Sequence, residues 1–222
     1  MFIRLAQIVS LVGIGLISAV AMMAQTRPAF SPLPSPAKTG KMSLEEALNS
    51  RRSVRRFEAN ELTAEQIAQL CWAAQGISDP ERGRRTAPSA GATYPLELYV
   101  VTAGGVDRYI PASHALERHL SKDVRDALTK AAMNQKSVAK AGAVFVIAAD
   151  VSRTAGKYSR RADSFVLLEV GHAGQNLLLQ AVSLGLGAVP IGAYNDEQAA
   201  QAISLPPTQK VMYLIPVGVP AK

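Results

Sequence analysis

The sequence of 222 residues is poor in cysteine, poor in aromatics and nearly balanced in charge over most of its length. Cys71 is its one cysteine, which excludes an internal disulfide and any cluster of cysteine metal ligands. Aromatic residues make up 5%, too few for a stacking platform along a single nucleic-acid strand. The formal charge of +7 belongs partly to one end. Arg4, Arg27, Lys38 and Lys41 are the only charged residues in the first 41, leaving 20 basic against 17 acidic residues (+3) from Met42 onward. So small a balance argues against a nucleic-acid-binding domain. His114, His119 and His172 lack metal-ligand spacing. What remains is 48% hydrophobic and long enough to bury a core without a disulfide or metal.

The first 41 residues read as a delivery segment. Arg4 and Arg27 enclose 22 uncharged residues, and Ala19, Ala21 and Ala24 suit a cleavage site. Residues 1–24 are therefore expected to be an export signal. Uncut, residues 5–24 would be long enough to tether the chain to a membrane. Either way the protein is expected outside the cytoplasm, in the periplasm or on the outer face of the inner membrane. Residues 25–41 contain Pro28, Pro32, Pro34 and Pro36 and read as an extended linker, with the folded domain spanning 42–222.

Ser43 with Glu46, and Thr63 with Gln66, fit capping boxes that open two helices. Gly76 is the stop of the second. The segments 96–101 and 143–150 read as strands, with a mixed helical pattern at 121–136 between them. A long helix is predicted over 162–184, apolar nearly all round, with Gly171 and Gly174 allowing close approach of another backbone. Short strands follow at 188–192 and 211–219. Helices and strands mix without strict alternation, so the class is α+β.

Four segments can carry chemistry. RRSVRRF (51–57) is the densest charge cluster; on a helix, Arg51 would share a face with Arg55, and Arg52 with Arg56. Guanidinium forks match phosphate oxygens, and the alternative is a solvated basic face. TAPSAGATYPLELYVV (86–101) places small residues before a strand, where backbone N–H groups can approach a flat or anionic ligand; an ordinary loop is the alternative. GLGAVPIGAY (185–194) contains G-x-G but runs from helix into strand, the reverse of a dinucleotide fingerprint. KYSRR (157–161) offers Lys and Tyr as proton donors or acceptors, or is a polar connector. Cys71, beside Trp72 on an apolar face, reads as core rather than nucleophile. His172, one turn from Asn176, reads as a satisfied core histidine.

These segments, in this order, resemble the FMN-dependent nitroreductase superfamily over about residues 42–220. KYSRR ahead of the long helix makes the likeness that of SagB-type dehydrogenases, which include thiazole- and oxazole-forming enzymes. The resemblance implies a mostly antiparallel central sheet flanked by helices, with the long helix buried at a homodimer interface that holds FMN. It implies that Arg51, Arg52, Ser53 and Arg55 contact the phosphate and ribityl chain. Pro88, Ser89, Ala90 and Ala92 would come from the second protomer; many relatives have Asn at the place of Ala92, so one polar flavin contact is absent. Asn134 and Gln135 would face the ring, Gly192 and Ala193 its reactive edge, and Lys222 would close on the phosphate. Lys157 and Tyr158 match the pair associated with azoline oxidation.

The function implied is oxidation or reduction of a small organic or peptide-derived substrate through flavin. Alternatives are an NAD(P)H-dependent nitro or quinone reductase, with NAD(P)H as electron donor, and a flavin-binding module without turnover. Export argues mildly against NAD(P)H as the donor. No nucleic-acid partner is expected.

Overall fold

The structure, a computed structural model, describes residues 29–222. The leader over 1–24, its reading as a tether and the start of the linker lie outside the described residues. In chain order the elements begin with β1 (Phe30–Pro32), α1 (Leu44–Ser50), α2 (Ala64–Gln75), β2 (Ile77–Asp79) and β3 (Arg84–Arg85). Next come β4 (Leu96–Thr102), β5 (Gly105–Ile110), β6 (Ala115–Leu120), α3 (Arg125–Ala131) and α4 (Lys136–Lys140). The chain continues through β7 (Ala143–Ala149), α5 (Ser152–Tyr158), α6 (Ala162–Ser183), β8 (Gly187–Ala188), α7 (Asp196–Ala202) and β9 (Lys210–Gly218).

Both capping boxes form. The Ser43 hydroxyl accepts from Glu46 N–H at 3.1 Å, while Ser43 N–H donates to the Glu46 carboxylate at 2.7 Å. Thr63 and Gln66 make the same reciprocal pair at 3.2 and 2.9 Å. Gly76 ends α2 for a reason other than left-handed backbone: its φ is −66°. A Cβ there would lie 2.2 Å from the Trp72 ring, so the glycine is required by close approach.

The main sheet runs β1-β6-β5-β4-β7-β9-β8, and every neighbouring pair is antiparallel. Alternation along β4 and β7 divides the core in two. Leu98, Val100, Phe145 and Ile147 face α2 and α6. Tyr99, Val101, Val144 and Val146 face α3 and α7 on the opposite side. This is the expected α+β architecture.

Three expectations change. The linker does not stay free over its second half: β1 adds an edge strand to β6, with Phe30 opposite Glu117. Leu33 N–H donates to His114 O at 3.0 Å, and Ala37 exchanges two bonds with the Gln69 amide at 2.8 and 3.0 Å. Proline is tolerated there because an edge strand can spare a donor, so the folded unit begins by Phe30. Strands β5 and β6 were not among the expected strands. Their charges are paired across the hairpin instead, Asp107 with Arg118 at 3.0 Å and Arg108 with Glu117 at 2.8 Å. Finally, Gly174 packs against Tyr213 and Ile215 of its own chain, whereas Gly171 is open. His172 is exposed rather than buried, and so are Leu167 and Leu168 on the same helix. Cys71 is fully buried, and burial pushes its thiol pKa up, as a core cysteine requires.

Candidate functional site

The arginine cluster is extended, which corrects the helical pairing. α1 stops at Ser50, and Arg51 turns out of it with φ −57° and ψ 123°. The following backbone is held from both sides. Val54 N–H donates to Ala188 O at 3.0 Å, and Ser53 bridges Ala188. Glu58 N–H donates to Val219 O at 2.9 Å, and Ala221 N–H to Arg56 O at 3.0 Å. A Cβ on Gly187 would lie 2.7 Å from Val54, so only glycine there lets the segment lie this close. In extended chain, Arg51, Ser53 and Arg55 alternate with Arg52, Val54 and Arg56. Arg52 folds back, donating to the carbonyls of Asn49 and Arg51, both at 2.8 Å. Among the described residues, no carboxylate lies within ion-pair distance of Arg51, Arg55 or Arg56. Lys222 is exposed, one residue past the bond that ties the tail to Arg56.

From Ala188 the chain runs beside β9 to Gly192, about 13 Å at an extended rise. Ile191 is tied there by its bridge to Leu214. A Cβ on Gly192 would meet nothing within 4 Å, so the backbone is open to a ligand. Gln135 Nε2 donates to Ala193 O at 3.0 Å, which brings two expected ring-facing residues together. Asn134 stands beside them at the surface with a left-handed φ of 58°.

The other expected residues gather elsewhere. Pro88 to Tyr94 form a tight turn in which Gly91, Ala92 and Tyr94 have φ of 58°, 54° and 45°. Lys157 Nζ donates to Gly91 O at 3.4 Å, and a Cβ on Gly91 would lie 2.7 Å from both Lys157 Nζ and Tyr158 Oη. Thr93 and Thr154 join hydroxyls at 2.9 Å, and Arg153 donates to Tyr94 O at 3.1 Å, so α5 is stapled to the turn. Ser159 follows with φ 46° and ψ −125°, backbone that non-glycine residues rarely adopt and that recurs at functional sites.

One residue of this corner was not singled out in the sequence. Glu169 of α6 is buried at 4% exposure and accepts from Ala90 N–H at 2.8 Å. Burial raises its pKa, opposed by the bonds from Ala90 N–H and the Ser89 side chain. A lone carboxylate in an apolar helix carries no motif; only the fold shows what it faces.

The two groups stand at opposite ends of the sheet. β8 and the arginines flank the Ala143–Val217 end of β7, whereas the turn leads into Leu96, opposite Ala149. The separation along β7 is about 20 Å. A trough of about 760 Å³ between residues 35–44, α2 and α6 is lined by Trp72, Asn176 and Gln180, and by none of the expected site residues. Among the described residues, no group of three acids, histidines or cysteines could hold a metal.

Comparison with known proteins bears on the family and the fold. The sequence matches the Nitroreductase family over residues 48–219. A protein of Methanocaldococcus jannaschii whose nitroreductase designation is provisional is 41% identical over 80% of this chain and 91% of its own. The microcin B17-processing protein McbC of Escherichia coli is 27% identical, over 67% of this chain and 58% of its own. A crystal structure from Ralstonia eutropha, also provisionally a nitroreductase, has a TM-score of 0.79 at 29% identity, covering 87% of this chain and 90% of that one.

Proposed function

The chain belongs to the nitroreductase family, a family of oxidoreductases, and from that premise we propose an FMN-dependent homodimer whose site is completed by two protomers. Members of the family generally bind FMN. The residues present fit that group. Arg51, Arg55 and Arg56 lack a carboxylate partner among the described residues, and Ser53 lies among them. That set of charges without counterions is the observation that carries the proposal, because such a cluster repels itself until an anion compensates it. The open backbone at Gly192, beside Gln135, gives a flat ring a surface to lie against.

FMN supplies the electron transfer when bound. The chain's own residues supply position and charge. Arg51 and Arg55 would hold the phosphate, and the open backbone at Gly192 would lie against the ring. The turn 88–94 and the Lys157–Tyr158 pair lie about 20 Å along the sheet from the arginines. A second protomer is what brings them over the ring, and the exposed Leu167 and Leu168 give it an apolar face to cover. Lys157 and Tyr158 are then the groups placed to hold or move a proton on the substrate.

The placement of that pair over Gly91 favours a SagB-type oxidation of a small or peptide-derived substrate. Flavin titration is the first test: the protein should bind FMN and quench its fluorescence, and absence of binding would sink the proposal. NAD(P)H-driven reduction of nitro compounds or quinones is the second reading. Rapid mixing of the loaded protein with NADH and NADPH separates the two, since fast bleaching by either favours the reductase. Export, the remaining element, is checked by the mass of the mature N-terminus.

A further inference from the structure

We propose that Glu169 is a positioning residue of this site. Its carboxylate holds the left-handed turn 89–94, and thereby sets where Lys157 and Tyr158 stand over Gly91. The proposal rests on the flavin reading for its consequence in turnover, but its geometry does not.

Two bonds frame the turn here. Ala90 N–H donates to Oε1 at 2.8 Å. Beside it, the Ser89 side-chain oxygen accepts from Tyr94 N–H at 2.9 Å, and the Ser89 side chain helps to hold the Glu169 pKa down. The carboxylate thus fixes Ala90 directly, and Ser89, the residue before it, ties the chain forward to Tyr94. Between those anchors lie Gly91, Ala92 and Tyr94, all at positive φ, two of them bearing a Cβ. Such backbone persists only where its surroundings over-determine it.

Glu169 is not explained as half of an ion pair. Among the described residues no arginine, lysine or histidine lies within 4.0 Å of it. His172, three residues on along α6, and then Arg85 act on it only at longer range, and Arg85 bonds to Gln75 at 2.6 Å and stacks on Tyr94 at 4.6 Å. A buried carboxylate whose hydrogen bonds come from uncharged donors alone is expensive to keep. What it yields here is a turn whose glycine touches both members of the Lys157–Tyr158 pair.

The test compares Glu169→Ala and Glu169→Gln in the purified full chain. The amide keeps an acceptor for Ala90, so it should rescue what alanine loses. Without FMN, Glu169→Ala should speed amide deuterium exchange of residues 90–94 by about tenfold, the size of one lost hydrogen bond. It should also change the rate at which Lys157 reacts with an amine-acylating reagent, read by peptide mass spectrometry, by about threefold or more. Glu169→Gln should return both toward the unsubstituted protein. With FMN, turnover of the alanine variant should fall about tenfold while the FMN Kd stays within about threefold, because the arginines lie at the far end.

Unchanged exchange and unchanged Lys157 reactivity would overturn the proposal. So would exchange that rises throughout the molecule with FMN affinity falling in step, which marks a purely structural role. Failure of the unsubstituted protein to bind FMN would sink the flavin reading alone, leaving the first two measurements to decide on Glu169. Should the alanine variant not fold, Ser89→Ala carries the same test. It removes one of the anchors, and no change at 90–94 would then refute the role.

Discussion

The arginine edge and the turn at 88–94 solve opposite problems. At the edge, backbone bonds to Ala188, Val219 and Ala221 hold the chain, but Arg51, Arg55 and Arg56 find no acid among the described residues. At the turn the backbone is strained, yet its polar groups are satisfied within the protein, by Glu169, Thr154 and Arg153. One region is complete as a scaffold and incomplete in charge. The other is complete in its bonds and incomplete in surroundings, since nothing at its end of the sheet matches the arginines. On the proposed reading, the first region waits for an anion and the second for a neighbouring subunit.

Breaking the first region should have the largest effect. Replacing Arg51 and Arg55 together by Ala removes two charge-assisted contacts, each worth about 1.5–3 kcal/mol. FMN affinity should fall by about a hundredfold or more by fluorescence titration. The melting temperature should hold, because neither side chain is paired in the free protein. A variant with full affinity would end the comparison. Replacing Lys157 by Met should do the reverse: turnover falls by about a hundredfold, in the range for loss of a proton-transfer group, with FMN affinity kept. Loss of flavin rather than turnover would reassign Lys157 to binding.

Gly187→Ala tests the scaffold beneath the edge. The added Cβ meets Val54 at 2.7 Å, an overpacking that costs about 1–3 kcal/mol. The melting temperature should drop by about 2–10 °C, and FMN affinity should weaken with it as residues 51–56 are pushed outward. Unchanged melting would show the segment free to move. The smallest effect belongs to Glu169 and pH. Burial raises its pKa in the folded protein, so the ionised form is disfavoured by folding above that pKa, and the penalty fades as pH falls through it. Glu169→Gln lacks this dependence. Its melting temperature relative to the unsubstituted protein should therefore be most favourable near pH 8 and lose about 1–2 °C of that standing toward acid pH. A shift of the opposite sign would contradict the burial argument.

Much of this was legible residue by residue. Ser43–Glu46 and Thr63–Gln66 announce helix starts because capping is settled within four residues. The strands at 96–101 and 143–150 and the helix from 162 stand out because each buries a continuous apolar run. The hairpin β5–β6 stayed hidden because Asp107, Arg108, Glu117 and Arg118 are acceptable in a sheet only when each meets its opposite. The spacing within Arg51–Phe57 would pair its arginines on a helix, yet the backbone there bonds to residues 188 and 221, far along the chain.

The mix of its elements pointed to the class and the order of its motifs to the family, and the same motifs named the residues proposed to meet a flavin. Local propensities and side-chain chemistry are properties of short segments, and they survive without a fold. Tertiary structure decided that Arg52 folds back onto the Asn49 and Arg51 carbonyls, that β1 forms an edge of the sheet, and that Glu169 accepts from the Ala90 N–H of the turn. Those outcomes depend on which distant backbone groups come within bonding distance, and only the folded chain brings them there.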